Sequence, residues 1–169
     1  MPVSDQDVNR DRYTVIPRVL IFVTRGDEIL LLKLLPRNRK VTNWTGRCNG
    51  LGGHIERGED ALAAARRELL EEAGVMADLH LCGNLIVDTG EDIGIELHVF
   101  GGEYISGELA ATHEGIPEWI PTKSLEQIPL LEDGPVLIGK VLAMKRGDPP
   151  FSARSFYDGN GKLNVVFAE

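Results

Sequence analysis

Glu68, Glu71 and Glu72 stand three and four residues apart in a stretch dense in Ala, Leu, Glu and Arg. On a helix, residues at these spacings share one face. Three carboxylates so placed repel one another, and an isolated surface helix gains nothing from that. A hard cation such as Mg²⁺ takes oxygen ligands, commonly carboxylates together with water and substrate phosphates. The run Glu-Leu-Leu-Glu-Glu is equally at home on a solvated helix face, so the surrounding frame has to decide. Asn49-Gly50-Leu51-Gly52-Gly53 precedes it and demands backbone freedom that glycine supplies. This loop leads into the helix, so backbone groups and carboxylates converge on one spot. Glu59 and Arg67, eight residues apart, lie about two turns from each other and can pair along the helix side.

Several elements must hold that spot in place. The helix is predicted over residues 60–73, with Glu59 and Asp60 at its dipole-favoured start and Gly74 as its C-terminal cap. Its apolar face is expected to carry Ala61, Ala64, Ala65, Leu69 and Leu62. Ahead of it, residues 13–24 and 29–35 read as an antiparallel hairpin turning at Arg25-Gly26-Asp27-Glu28. Behind it, strands are expected over 79–88 and 93–104, and a short edge strand at Trp119-Ile120-Pro121. A second helix is expected over 135–145, then a hairpin pairing 151–157 with 163–167. Strands interrupted by two helices make an α+β layered domain. The expectation is one domain over residues 1–169, with 1–12 a loosely ordered terminus.

Composition narrows the chemistry. A chain of 169 residues with 43% apolar content can bury a core without staples. Cys48 and Cys82 are too few and too isolated for a disulfide framework or a cysteine zinc site, and a reducing cytoplasm is the expected compartment. A net charge of −8 argues against a nucleic-acid polymer as partner, and no apolar run is long enough for a membrane helix. It does not exclude a small polyanion, because a bound divalent cation reverses the local field.

The spacing has a family likeness. From Gly53, five residues lead to Glu59, and seven more lead to Arg67-Glu68-Leu69-Leu70-Glu71-Glu72-Ala73-Gly74-Val75. This resembles the Nudix box, G-x5-E-x7-R-E-U-x-E-E-x-G-U with U aliphatic, at every specified position. The resemblance implies a Nudix fold, a mixed β-sheet sandwiched between helices. It implies hydrolysis of a phosphoanhydride bond in a nucleotide, with Mg²⁺, or Mn²⁺ in its place, as cofactor. The metal ligands it implies are Glu68, Glu71 and Glu72, with the backbone carbonyl of Gly52. Glu114, shortly before Trp119, stands where some family members carry a further glutamate. The general base is Glu68 or Glu114. Glu59, Arg67 and Gly74 take the structural positions of the box.

Outside the box, Gly46-Arg47-Cys48-Asn49-Gly50-Leu51-Gly52-Gly53 is similar to the entry sequence of MutT-type oxidised purine nucleoside triphosphatases. That likeness implies base recognition by Asn49, with Gly52 and Gly53 lining the substrate path. Glu132-Asp133 resembles the aspartates that read the purine edge in animal members. The expected reaction is therefore conversion of an oxidised purine triphosphate, such as 8-oxo-dGTP, to monophosphate and pyrophosphate. Two aromatic positions depart from that pattern: Cys48 and Leu130-Leu131 stand where those enzymes have tryptophans. ADP-ribose, dinucleoside polyphosphates and undamaged nucleotides are the rival substrates, and a catalytically silent nucleotide sensor is the rival of another class. Monomer and homodimer are both open. The basic loop Arg37, Arg39, Lys40 is a further candidate for meeting phosphate.

Overall fold

A computed structural model describes residues 3–6, 11–36 and 40–169. Arg37 and Arg39 of the basic loop, and much of the segment expected to be ragged, lie outside the described residues; Val3–Gln6 form a single 3-10 turn. The strands are β1 (Thr14–Arg25), β2 (Glu28–Leu34), β3 (Cys48–Asn49), β4 (Val75–Val87), β5 (Ile93–Gly107), β6 (Gly115–Pro121), β7 (Phe151–Tyr157) and β8 (Leu163–Phe167). Two α-helices are described, α1 (Ala61–Ala73) and α2 (Gly134–Ala143).

All eight strands join one mixed sheet in the order β3-β2-β1-β5-β4-β7-β8, with β6 on the free side of β2. β1 runs parallel to β5 and β4 parallel to β7, while the other pairs are antiparallel. The centre of the sheet is covered on both faces, which explains its unbroken apolar runs. Val19 to Val23 are all buried, and they alternate between two cores. Val19, Ile21 and Val23 pack with Leu30 and Leu32 against Ala64, Ala65, Leu69 and Ala73 of α1. Leu20 and Phe22 pack with Ile29 and Leu31 against Leu137, Ile138 and Val141 of α2. The expected layering, a mixed sheet between helices, is the observed one.

The boundaries differ most in three places, and β5 also runs three residues further, to Gly107. β4 begins at Val75 rather than Leu79, because residues 75–78 pair with β5 across an irregularity at Met76/Ala77. β6 spans Gly115–Pro121 rather than three residues, since Gly115 to Pro121 pair with Leu34 to Glu28 along β2. Pro117 is tolerated there because β6 has a neighbour on one side only. Cys48–Asn49, expected within a loop, forms a short strand against Leu32 and Lys33. Among the described residues no helix is long and apolar enough to cross a membrane.

Candidate active site

Helix α1 is fixed at both ends. Asp60 caps it by accepting from the Ala63 N–H at 2.8 Å, and Gly74 closes it in the left-handed region at φ 72° with its N–H on Leu70 O. Its buried face carries Ala64, Ala65, Leu69 and Ala73, and also Glu72. A carboxylate on that stripe is unusual, because burial of a charge costs stability unless something compensates it. The Glu72 carboxylate accepts from the Gly52 N–H at 2.7 Å.

The glycine loop lies along β1. Val19 N–H donates to Gly53 O at 2.9 Å, and Ile21 exchanges two hydrogen bonds with Leu51. Glycine is required here on steric grounds. At Gly52, with φ 147°, a Cβ would fall 2.0 Å from Val19 O. At Gly53 it would fall 2.3 Å from the Glu68 carboxylate. Gly53 therefore opens the space that Glu68 occupies, and Gly52 turns its N–H onto Glu72.

Arg67 ties the acidic face together. Its guanidinium is bidentate to Glu59 at 2.7 and 2.9 Å, and donates to His54 O at 3.0 Å, to Glu68 at 2.8 Å and to Glu71 at 3.1 Å. The bond from Arg67 lowers the Glu59 carboxyl to about 2, aided by the Glu56 N–H. Glu59 and its neighbours in turn hold Arg67 well above its ordinary value. Glu72 goes the other way. Burial raises its carboxyl to about 8, opposed by the Gly52 N–H, with the charges of Glu68, Glu114 and Glu71 adding to the rise.

That list places the side chains of Glu68, Glu71 and Glu114 within electrostatic reach of Glu72. Glu114 lies just before β6, its N–H on Thr112 Oγ1 at 3.2 Å and its carboxylate 3.5 Å from His113. Among the described residues no three acidic, histidine or cysteine side chains form a ready-made metal cage. The reason is visible in the contacts: Arg67 draws Glu68 and Glu71 outward while Glu72 turns inward to Gly52. The donor set nonetheless suits a hard divalent cation. It is all carboxylate oxygen, and its buried member is surrounded by acids with one N–H as its hydrogen-bond partner.

A second region lies on the α2 side. A cavity of about 290 Å³ is bordered by Asn43, Trp44, Arg47, Leu131, Glu132, Asp133, Tyr157 and Leu163. An apolar groove of about 790 Å³ along α2 shares Arg47, Leu131 and Glu132 with it. Asp133 occupies the N-cap position of α2, but its side chain makes no capping bond. Burial raises its carboxyl, and Glu132 adds to the rise. Cys48 is buried in the α2-side core, bonded through its backbone to Pro129 and Leu131.

The structure thus brings Glu132 and Asp133 to one cavity, and Glu68, Glu71, Glu72 and Glu114 to the other end of the site with Gly52 and Gly53. Asn49 does not border the cavity; it is in register with Leu32, which packs in the α1-side core. Trp44 and Tyr157 were not singled out in the sequence. A tryptophan inside a polar, glycine-containing loop was the available signal for Trp44, and Tyr157 carried none.

Known proteins resemble this chain in sequence and in fold. The NUDIX domain profile matches residues 14–145. An oxidized purine nucleoside triphosphate hydrolase from Danio rerio is 40% identical over 86 residues, covering 50% of this chain and 53% of the relative. An NAD-capped RNA hydrolase NudC from Pseudomonas syringae pv. syringae is 31% identical over 139 residues, 80% of this chain and 47% of the relative. The chain thus spans about half the length of the curated relatives it matches. In fold, a MutT protein from Bacillus halodurans superposes with a TM-score of 0.70 at 23% identity, covering 90% of this chain and 97% of the other. With an unbroken box, the sheet between two helices and a matching profile over most of its length, the chain belongs to the Nudix family.

Proposed function

We propose that this protein is a hydrolase that cleaves an oxidised purine nucleoside triphosphate, such as 8-oxo-dGTP, to the monophosphate and pyrophosphate. The observation that carries the reading is Glu72: a carboxylate buried on the inner face of α1, bonded to Gly52 and ringed by Glu68, Glu71 and Glu114. Such a group is costly without a cation and suited to one. Glu68, Glu71 and Glu72, with the Gly52 carbonyl and Glu114, would hold Mg²⁺, or Mn²⁺ in its place. Bound there, the metal supplies charge neutralisation for the phosphates and a more acidic water.

The chain's own residues do the rest. Water attacks phosphorus, its oxygen bonds to that atom, and the bond from phosphorus to the bridging oxygen breaks. Glu68 or Glu114 accepts the proton, and pyrophosphate leaves. Arg67, held by Glu59, steadies Glu68 and Glu71 from the side. Residues 47 to 52 link the two regions, a strand-like span of at most about 17 Å, which suits an extended nucleoside triphosphate. Glu132 and Asp133 then meet the base, while Asn49, which does not border their cavity, stands between the two regions. Asp133, its carboxyl raised by burial, is suited to donate as well as accept.

A second reading comes from the longer alignments to proteins named NAD-capped RNA hydrolase NudC, and is the cleavage of an NAD-type pyrophosphate, for which NADH is the small probe. A hydrolysis panel separates the two. 8-oxo-dGTP, dGTP, dATP, ADP-ribose, NADH and diadenosine tetraphosphate would be offered to wild type and Glu72→Gln at fixed Mg²⁺. Highest kcat/KM on 8-oxo-dGTP with release of pyrophosphate supports the first reading, and highest kcat/KM on NADH the second. A folded, metal-loaded protein that cleaves nothing would show a nucleotide sensor instead.

A further inference from the structure

Cys48 and Leu130-Leu131 leave the proposed base site without the aromatic surface that a flat heterocycle ordinarily stacks on. The chain has two tryptophans. Trp119 is already engaged: it packs edge-on against Tyr104 at 5.5 Å, and Arg25 lies 4.3 Å over its ring. Trp44 is different. Its side chain is 59% exposed, and it takes part in none of the ring–ring or cation–ring contacts found among the described residues. Its backbone is nevertheless fixed. Thr42 and Thr45 close a turn around it, Trp44 N–H reaches Thr42 Oγ1 at 3.3 Å, and Arg47 N–H donates to Trp44 O at 2.9 Å. An exposed indole on a braced turn, at the wall of a cavity whose other lining residues include Arg47, Glu132 and Asp133, is placed for a partner rather than for packing.

Tyr157 borders the same cavity. Its hydroxyl donates to Glu132 Oε2 at 3.0 Å, joining the end of β7 to the segment before α2. That bond holds the Tyr157 hydroxyl above its ordinary value, so it stays a donor. We propose that Trp44 is the stacking surface for the substrate's base and that Tyr157 positions the Glu132 carboxylate against the base's polar edge. The walls specify the ligand class. An aromatic face asks for a flat ring, and two carboxylates beside it ask for N–H groups on that ring's edge. A cavity of about 290 Å³ suits a single base. The assignment rests on the purine nucleotide reading above.

The test uses the two tryptophans as reporters. Intrinsic fluorescence is titrated with 8-oxo-dGMP in EDTA for wild type, Trp44→Phe and Trp119→Phe, so that no turnover or metal enters. Saturable quenching in wild type and Trp119→Phe, absent from Trp44→Phe, supports the assignment. Steady-state rates on 8-oxo-dGTP complete it. Trp44→Ala raises KM roughly 5- to 100-fold, the range that loss of one base–aromatic stack allows. Its kcat stays within about twofold, and Trp44→Phe, which keeps a ring, restores most of the KM. Tyr157→Phe lowers the preference for 8-oxo-dGTP over dGTP without lowering kcat. Quenching that persists in Trp44→Phe, or an unchanged KM in Trp44→Ala, overturns the assignment while the function stands. A wild type that neither binds 8-oxo-dGMP nor cleaves a purine nucleotide overturns both. Should Trp44→Ala melt early, Trp44→Phe carries the fluorescence test alone.

Discussion

The two ends of the site are built in opposite ways. At the α1 end all but one of the functional groups come from residues 52–72, one loop and one helix, with Glu114 added from the segment before β6. At the α2 end the walls come from the loop at Trp44 and Arg47, the segment at Glu132 and Asp133, and the β7–β8 hairpin at Tyr157 and Leu163. On the proposed reading the first end would handle phosphate, whose chemistry is the same in every nucleotide. The second would face the variable part of a substrate, and its walls come from segments far apart in the chain. Shared chemistry would then sit mostly in one stretch, and selectivity would be dispersed over loops.

The largest test of this division is Glu72→Gln. It should keep its fold by circular dichroism yet lose about 1,000-fold in kcat on every substrate of the panel. Comparable loss on one substrate alone would break the division. Gly53→Ala comes next. A methyl group 2.3 Å from the Glu68 carboxylate forces that side chain away, and a displacement of this kind costs about 100-fold in kcat. Activity close to wild type in a folded Gly53→Ala protein would show that Glu68 need not lie there.

Protons and metal should compete at the same end. Glu72 has its carboxyl raised to about 8, so in the metal-free protein its contribution to stability is present below its ordinary value and lost as pH rises through about 8. A divalent cation must displace that proton, so its affinity should rise about tenfold per pH unit up to the Glu72 value and level off above it. Thermal shifts with Mg²⁺, titrated from pH 6 to 9, would read this, and a flat dependence would count against Glu72 as ligand.

At the α2 end effects should be smaller and selective. Asp133→Asn should lower kcat/KM for 8-oxo-dGTP about tenfold relative to dGTP, with the rate on dGTP little changed. Asn49→Ala should do less, since Asn49 does not border the cavity. A larger loss from Asn49 than from Asp133 would move base recognition away from α2.

The same division governs what could be read from the chain. The α1 end was legible because its signals are local: helix formers, an Asp60 cap, a Gly74 stop and carboxylates at helical spacing. The core was legible where Val19 to Val23 and Ile29 to Leu32 form unbroken apolar runs. β6 was read too short because Gly115 and Pro117 are poor strand formers, and pairing with β2 overrides that preference. Trp44 and Tyr157 were missed because, beyond the odd placement of a tryptophan in a polar loop, nothing local foretells that the fold brings the two to one cavity. Asp133 was seen from family likeness, but its place at the cavity wall without a bond capping α2 needed coordinates.

The parallel pairing of β1 with β5 has a consequence for how the molecule assembles. Thr14 meets Ile93, and the register runs on to Thr24 and Glu103, so each partner arrives roughly 80 residues later in the chain, a non-local closure of the kind that slows folding. During synthesis the box helix emerges from the ribosome before β5 does. Until that strand inserts beside β1, the floor beneath α1 is incomplete, and Leu69 and Glu72 have no finished surface on which to settle. A 13-residue helix is only marginally stable in water on its own, so the carboxylate face of α1 gains its lasting shape from the joining of the central strands.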